Sequence, residues 1–136
     1  MASPSLELLL EGIEEFLRER VETYDQLAAL LWFSEGSSEP RSARDTASAL
    51  GMPEAAADDA LKRLASAGLL RRVSGSARFR YEPARPELDG VVRRLGVLHR
   101  EHRVEVIRLM NRASVARLRE SVLRTFSPHF RRRPDK

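Results

Sequence analysis

Charged side chains in the middle of the sequence could bind a phosphate backbone or repel it. Guanidinium groups suit phosphate because they present a planar fork of N–H donors. The basic residues in this region are Arg44, Lys62, Arg63, Arg71, Arg72, Arg78, Arg80 and Arg85. Carboxylates interrupt the same region at Glu54, Asp58 and Asp59, where they would repel phosphate. The candidate chemistry is therefore reversible binding of a polyanion, opposed by a short acidic stretch.

The charge of the chain is uneven along its length. Residues 1–35 hold 2 basic and 8 acidic side chains, whereas residues 69–136 hold 18 and 7, within a net charge of +4. A polyanion would therefore meet the second half of the chain. Only Lys62 and Lys136 are lysines, so the cations are nearly all arginine. Phosphate binding would explain this preference, and so would a GC-rich genome that favours arginine codons.

Residue types for catalysis or metal binding are scarce. The chain has no cysteine, which excludes disulfides and thiolate sites. His99 and His102 lie one helical turn apart, but a metal site needs three or four convergent ligands. The favoured interpretation is a polar pair that sets the register of a helix dimer, which protonation near pH 6 would loosen. No phosphate-cradling glycine loop or serine-hydrolase motif is present. We expect no enzyme activity, no catalytic residue, no metal and no cofactor.

Capping signals mark where the central helices begin. A Ser or Thr three residues before an acidic or amide side chain can satisfy free N–H groups at a helix N-terminus. Two such pairs are Thr23 with Gln26 and Ser42 with Asp45, and each precedes an apolar-periodic segment. After a turn at Gly51, a further helix is expected from residue 53 to 67. Its core face is predicted to comprise Ala57, Ala60, Leu61 and Leu64.

Residues 69–82 predict a β-hairpin. The segments "LLRRV" and "RFRYE" are rich in strand formers, and "SGSA" between them supplies a turn. Alternation places Arg78 and Arg80 on one face of the second strand, with Phe79 and Tyr81 on the other. Such an arginine face could reach a phosphate backbone, and it could also be a solvated surface of the hairpin.

Helical periodicity flanks this central segment on both sides. Residues 1–22 predict one N-terminal helix, and residues 87–127 predict a long C-terminal arm. The arm contains residues that step by alternating fours and threes, which is the spacing of a dimer seam; they are Leu88, Val92, Leu95, His99, His102, Val106 and Leu109. Residues 128–136 are expected to be a disordered basic tail.

The order of these elements resembles a known family. The segments "ARDTASALGMPEAAADDALKRLASAGLLRRV" and "ARFRYE" are similar to the winged helix-turn-helix of bacterial transcription regulators, with MarR-like proteins nearest in length. The resemblance implies a mainly α (α+β) fold. In it, a winged helix-turn-helix over residues 23–86 has a two-stranded wing and is flanked by an N-terminal helix and the C-terminal arm. It further implies a homodimer that binds double-stranded DNA. No apolar run approaches the roughly 18 residues that a membrane span needs, so we expect a cytoplasmic protein without membrane contact.

The resemblance also implies which residues would contact DNA. In that family the first turns of the second motif helix enter the major groove. Here these turns carry alanines and carboxylates, although carboxylates at a helix N-terminus also stabilise the helix through its dipole. The implied contact set, including the wing, is Arg44, Ala55, Ala56, Asp59, Lys62, Arg63, Arg71, Arg72, Arg78, Arg80 and Arg85.

Two functions follow from these features, and the sequence leaves both open. In the first, the protein is a DNA-binding transcriptional regulator that grips DNA mainly through wing arginines. In the second, the winged helix is a protein interaction module with weak or no DNA binding. The acidic turn and the Ala55–Ala56 patch would then face a basic partner protein, and the helical arm would assemble the complex.

Overall fold

A computed structural model describes residues 5–36 and 38–132, with side chains as far as Thr125. This part of the chain forms seven helices and three short strands. In chain order they are α1 (Leu6–Leu10), α2 (Ile13–Arg20), α3 (Tyr24–Glu35), β1 (Arg41–Ser42), α4 (Ala43–Leu50), α5 (Glu54–Ser66), β2 (Leu70–Arg72), β3 (Arg78–Tyr81), α6 (Pro86–Glu101) and α7 (Arg103–Arg132).

The N-terminal segment forms two helices where the sequence predicted one. The backbone turns at Gly12, whose φ of 75° lies in the left-handed region that glycine adopts without steric cost. The turn lets α1 pack on α6 and α2 pack on α7, so that Leu9, Ile13 and Leu17 are buried. The apolar period continues through the turn because both helices face the same core, and this continuity suggested a single helix.

The central segment has the predicted helices and caps. The Thr23 hydroxyl accepts the N–H of Gln26 at 3.1 Å. Ser42 and Asp45 form a reciprocal capping box at the start of α4. Gly51 ends α4 with a φ of 67°, a backbone conformation that favours glycine. The predicted core face of α5 is confirmed, since its four members are buried: Ala57, Ala60, Leu61 and Leu64.

The hairpin belongs to a three-stranded antiparallel sheet with the order β1-β3-β2. Strand β1, which the sequence did not predict, pairs Arg41 with Phe79 and Ser42 with Arg78. A strand of two residues has no alternation that a pattern could detect. Phe79 is buried and Tyr81 half-buried on the inner face of the sheet. The order of helices and strands from α3 to β3 confirms the mainly helical winged helix-turn-helix fold.

The C-terminal arm consists of two helices. Helix α6 ends at Glu101, and His102 leaves the helix with φ −138° and ψ 53°. The turn at His102 brings α7 back against α2. A straight continuation of α6 would carry Val106 and Ala113 away from the N-terminal helices, whereas the turn buries both. Burial of apolar surface therefore favours the broken arm.

The residues of the predicted dimer seam lie in the core of a single chain. Its apolar members are at most 6% exposed and join the hydrophobic core formed with the N-terminal helices; they are Leu88, Val92, Leu95, Val106 and Leu109. His99 and His102 are half-buried. Side chains that are buried within one chain are not available to a second copy, which corrects the predicted seam. The four-three spacing indicated a buried face, but the face packs inside one chain.

Helix α7 extends beyond the predicted end of the arm at residue 127 and continues to Arg132. No glycine lies between residues 103 and 132 to end the helix earlier. The rest of the predicted tail, residues 133–136, lies outside the described residues. Within the described part of the chain, no helix has the length and apolar character needed to cross a bilayer.

Candidate nucleic-acid interface

Three arginines share the exposed face of the sheet. Arg71 and Arg80 are directly paired across β2 and β3, so their side chains leave the same face. Arg78 lies two residues from Arg80 and therefore shares that face. All three are exposed, whereas Phe79 and Tyr81 turn to the inner face. We call this surface of Arg71, Arg78 and Arg80 the outer sheet face.

Two of these arginines have carboxylate partners. Arg71 pairs with Glu82 at 3.0 Å, and Arg78 pairs with Asp45 at 3.0 Å. Within the described residues, the side chain of Arg80 makes no ion pair or hydrogen bond. Exposed ion pairs contribute only about 0–1 kcal/mol. A phosphate oxygen can therefore replace either carboxylate at little cost, and the outer sheet face remains competent to bind a polyanion.

Asp45 links the sheet to the start of α4. Its Oδ2 accepts the backbone N–H of Ser42 at 2.9 Å and the Arg78 guanidinium at 3.0 Å. The hydrogen bonds from Ser42 hold the pKa of Asp45 below its usual range, and the charge of Arg78 lowers it further. Asp45 therefore stays ionised and orients Arg78. The neighbouring Arg44 is exposed, and no partner for it is found in the described chain.

The acidic and basic residues of α5 pair with each other. Asp58 contacts Lys62 at 2.9 Å, and Asp59 contacts Arg63 at 3.0 Å, each one helical turn apart. Arg63 also lies 3.9 Å from a carboxylate oxygen of Glu22. The two acids thus neutralise the two bases that the resemblance assigned to DNA. The outward side of α5 offers a phosphate backbone little net attraction.

The N-terminal turn of α5 is open to solvent. Ala55 is exposed and Ala56 is half-buried. Glu54 is exposed and precedes them at the start of the helix. This turn is therefore accessible to a partner, and its charge is negative.

Two predicted contact residues lie apart from the outer sheet face. Arg72 donates from Nε to the carbonyl of Ser76 at 3.1 Å, which holds the turn of the hairpin. Arg85 lines a cleft of about 820 Å³ between α3, α6 and the end of β3. Tyr81, from the inner face of the sheet, also lines this cleft and donates to Asp89 at 2.7 Å. Burial, and then this hydrogen bond, raise the pKa of Tyr81.

Other arginines stabilise the fold. Arg41 places its guanidinium carbon 4.0 Å from the centroid of the Trp32 ring and donates to the Trp32 carbonyl at 3.2 Å. This contact fixes β1 on α3. Arg20 donates to the carbonyl of Ala67, near the end of α5. Nothing in the local sequence of Arg20 or Arg41 distinguishes them from surface arginines, so sequence reasoning did not find these roles.

Helix α7 is tied to α2 by an arginine in the same way. Arg117 donates to the carbonyls of Leu17 at 3.1 Å, Arg18 at 3.3 Å and Glu22 at 3.1 Å. The carbonyls of Leu17 and Arg18 lie in the last turn of α2, and that of Glu22 lies just beyond the helix. The positive charge of the C-terminal half therefore includes residues with structural roles.

The remaining chemistry of the site is sparse. Among residues 5–36 and 38–132, no group of three or more acidic or histidine side chains is placed to hold a metal ion. Burial is the largest cause that lowers the pKa of His99, and the charge of Arg103 adds to it. The exposed arginines of the outer sheet face could bind an anion through their charge.

Comparison with known proteins finds that the central segment is similar to a family of transcriptional regulators. The family model described as "Sugar-specific transcriptional regulator TrmB" matches residues 22–87, a little under half of the chain. The matched segment runs from the cap of α3 into the first turn of α6. The likeness to MarR-type proteins in particular stays a prediction. No curated protein matches the chain.

One solved structure with a similar fold is the homodimeric winged helix-turn-helix DNA-binding domain of Mb0332 from Mycobacterium bovis, described as "a possible ArsR-family transcriptional regulator". It is 23% identical, with a TM-score of 0.49 over 75% of this chain and 93% of that one. This likeness is too distant to carry an argument about function. Residues 22–87 are thus similar to the TrmB family of transcriptional regulators.

Proposed function

We propose that the protein is a DNA-binding transcriptional regulator whose outer sheet face contacts the DNA backbone. The observation that carries the proposal is the register that puts Arg71 opposite Arg80, with Arg78 on the same exposed face. Arg44 is exposed, has no partner among the described residues and neighbours Asp45, the partner of Arg78, so we include it in the same interface. The match of residues 22–87 to a family of transcriptional regulators supports the same function.

In this proposal α5 contributes little to affinity. Lys62 and Arg63 are already paired with Asp58 and Asp59, so a phosphate would have to displace an acid on the same helix. The exposed N-terminal turn of α5 approaches the bases, where a carboxylate can accept a hydrogen bond from the amino group of cytosine. Affinity then comes from the sheet, while Ala55, Ala56 and Asp59 set sequence preference.

The homodimer and the cytoplasmic location predicted from the sequence stay part of the proposal. A winged-helix dimer binds two half-sites on one face of the duplex. The residues of the predicted seam are buried in one chain, so a dimer must use another surface. A transcriptional regulator works where the DNA is, which in bacteria is the cytoplasm.

A second function is supported by the acidic turn of α5. Glu54 and Ala55 are exposed, and the carboxylates of Asp58 and Asp59 are half-exposed or more. A basic surface of a partner protein would fit this turn. The double variant Asp58→Asn/Asp59→Asn separates the two functions. Loss of the acids strengthens DNA binding by releasing Lys62 and Arg63, whereas it weakens binding of a basic protein.

The proposal is tested by fluorescence anisotropy with mixed-sequence duplex DNA at about 50 and about 200 mM salt. We expect binding that weakens steeply with salt. We expect the variant Arg78→Ala/Arg80→Ala to bind more weakly and to reduce the slope of log affinity against log salt by about 2. The control Arg103→Ala/Arg124→Ala removes two exposed arginines of α7 and the same charge.

If Arg78→Ala/Arg80→Ala and the control Arg103→Ala/Arg124→Ala lose the same DNA affinity, the outer sheet face has no specific role. Absence of binding at low salt would contradict DNA binding altogether and favour the protein partner.

A further inference from the structure

Helix α7 has two apolar faces. One face packs into the core through Val106, Leu109, Met110 and Ala113. The other face is made of large side chains that are 40–66% exposed, namely Val104, Ile107, Val115, Leu118 and Val122. At about 100° per residue, these five side chains fall within an arc of about 80°. We call them the α7 stripe.

The α7 stripe is a continuous surface. It spans 18 residue steps, or about 27 Å at 1.5 Å per residue. Single exposed apolar residues are common in proteins, but a contiguous apolar patch marks an interaction site. Nothing in the described chain covers the stripe.

Four of the five stripe residues are arranged symmetrically about Asn111, and Val122 lies beyond them. Ile107 and Val115 lie four residues to either side of Asn111, and Val104 and Leu118 lie seven residues to either side. Two antiparallel copies of a helix related by a two-fold axis pair each residue with the one equally far on the other side of the crossing point. With the axis at Asn111, Ile107 meets Val115 of the second copy, and Val104 meets Leu118. Four apolar residues of one copy thus meet four apolar residues of the other.

We propose that a second copy of this chain covers the α7 stripe, with the two α7 helices antiparallel and crossing at Asn111. This interface deepens the homodimer part of the proposed function, and it does not depend on DNA contact. It replaces the seam that the sequence predicted, whose residues are buried in one chain.

Asn111 suits a position on a two-fold axis. It is exposed, and its amide carries both donors and acceptors, so two copies can donate to each other. A polar residue in an otherwise apolar helix seam fixes the register, because any shift leaves its amide against aliphatic side chains. The single asparagine in the middle of the stripe therefore specifies the crossing point.

The charges beside the stripe are compatible with a second copy. Arg108 and Arg112 flank it on one side, and the two-fold axis places this flank against itself. Both arginines already have carboxylate partners in their own chain, Glu105 at 3.1 Å and Glu14 at 3.0 Å. Arg119 lies on the same flank and has no carboxylate partner among the described residues, so the flank keeps one uncompensated positive charge. Only one of the three flanking arginines is open to an acidic partner, whereas the apolar pairing about Asn111 fits a second copy.

The test is sedimentation equilibrium on the full chain. We expect twice the 15.4 kDa mass of one chain for the natural sequence, and a twofold lower mass for Leu118→Asp. Leu123→Asp is the matched control, because Leu123 is an exposed leucine of the same helix about 100° from Val122. We expect Leu123→Asp to remain a dimer. Circular dichroism shows that each variant is folded.

Cross-linking tests the geometry, since the chain has no cysteine of its own. We expect Asn111→Cys alone to form a disulfide-linked dimer on oxidation. We expect Val104→Cys alone to remain unlinked, and Val104→Cys/Leu118→Cys to link. A parallel pair would instead link Val104→Cys alone.

A monomeric natural chain, a dimer that survives Leu118→Asp, or a link through Val104→Cys alone would each overturn the proposal. Each of these results leaves the salt-dependent binding of the outer sheet face to DNA as a separate question. DNA binding by a monomer would show that the interface has failed while the proposed function stands.

Discussion

Arg71 and Arg80 lie directly opposite each other on antiparallel strands, and within the described chain only Arg71 has a carboxylate partner. Like charges on directly opposed residues of a sheet destabilise it. Glu82 offsets part of this repulsion by pairing with Arg71 at 3.0 Å. A bound anion between Arg71 and Arg80 would reduce the remaining repulsion and stabilise the sheet.

The first prediction concerns Arg80. Arg80→Thr removes the repulsion and introduces a good strand former, so the free energy of unfolding should rise by up to about 1 kcal/mol. DNA affinity should fall at the same time, because one phosphate contact is lost. Urea denaturation followed by the fluorescence of Trp32, the one tryptophan of the chain, measures the first effect. Anisotropy with duplex DNA measures the second. Unchanged DNA affinity would remove Arg80 from the interface.

The second prediction concerns the partner of Arg71. Glu82→Gln releases Arg71 and removes one negative charge beside the outer sheet face. We expect DNA affinity to rise by up to about fivefold, in line with the small free energy of an exposed ion pair. Glu101→Gln is the matched control, because it removes the same charge from an exposed residue at the end of α6. If both variants bind DNA alike, the effect is one of total charge, and Arg71 is not a contact.

The third prediction concerns Arg41. Arg41→Ala removes the cation–π contact with Trp32 at 4.0 Å and a hydrogen bond to the Trp32 carbonyl. Together these should lower the free energy of unfolding by about 1–2 kcal/mol. Urea denaturation provides the measurement. Arg44→Ala is the control, because Arg44 is exposed and should leave the midpoint unchanged. Equal midpoints for the two variants would show that the contact does not hold β1 on α3.

The fourth prediction concerns pH. Burial lowers the pKa of His99 from its usual value of 6.5, because burial penalises the charged imidazolium. The unfolded chain then binds more protons than the folded one as the pH falls below 6.5, so stability is full above that pH and decreases below it. We expect the urea midpoint of the natural chain to fall between pH 8 and pH 5, and that of His99→Gln to fall less. An identical fall in both would exclude His99 as the cause.

This pH effect differs from the one predicted from the sequence. The pair of His99 and His102 was expected to loosen a dimer on protonation. The seam that would transmit the effect lies inside one chain. His99 lies in the last turn of α6, and His102 forms the turn between α6 and α7. Protonation of His99 therefore acts on the fold of the chain.

Local signals in the sequence predicted much of the fold. The caps at Thr23 and Ser42, the turn at Gly51 and the buried face of α5 depend on neighbouring residues, so they could be predicted from spacing alone. The turns at Gly12 and His102 could not. At each of these two turns, the spacing of apolar residues continues unchanged, because the helices before and after the turn face the same core.

The candidate site was harder to predict for a physical reason. The alternation in β3 predicted that Arg78 and Arg80 share a face. The ion pairs of these arginines depend on the strand register and on strand β1. The hydrophobic periodicity of the sequence predicts neither. The paired acids of α5 lie one turn from their bases, so the pairing of Asp58 with Lys62 could have been predicted from the i, i+4 spacing.

The most direct test of the central claim is a nuclear magnetic resonance titration of the natural chain with a short duplex of DNA at low salt. The backbone amides of β2, β3 and the start of α4 should shift in proportion to bound DNA, because they carry Arg71, Arg78, Arg80 and Arg44. The amides of α6 should stay unchanged. Shifts confined to α6 and α7, or to α5 without the sheet, would contradict an interface built on the outer sheet face.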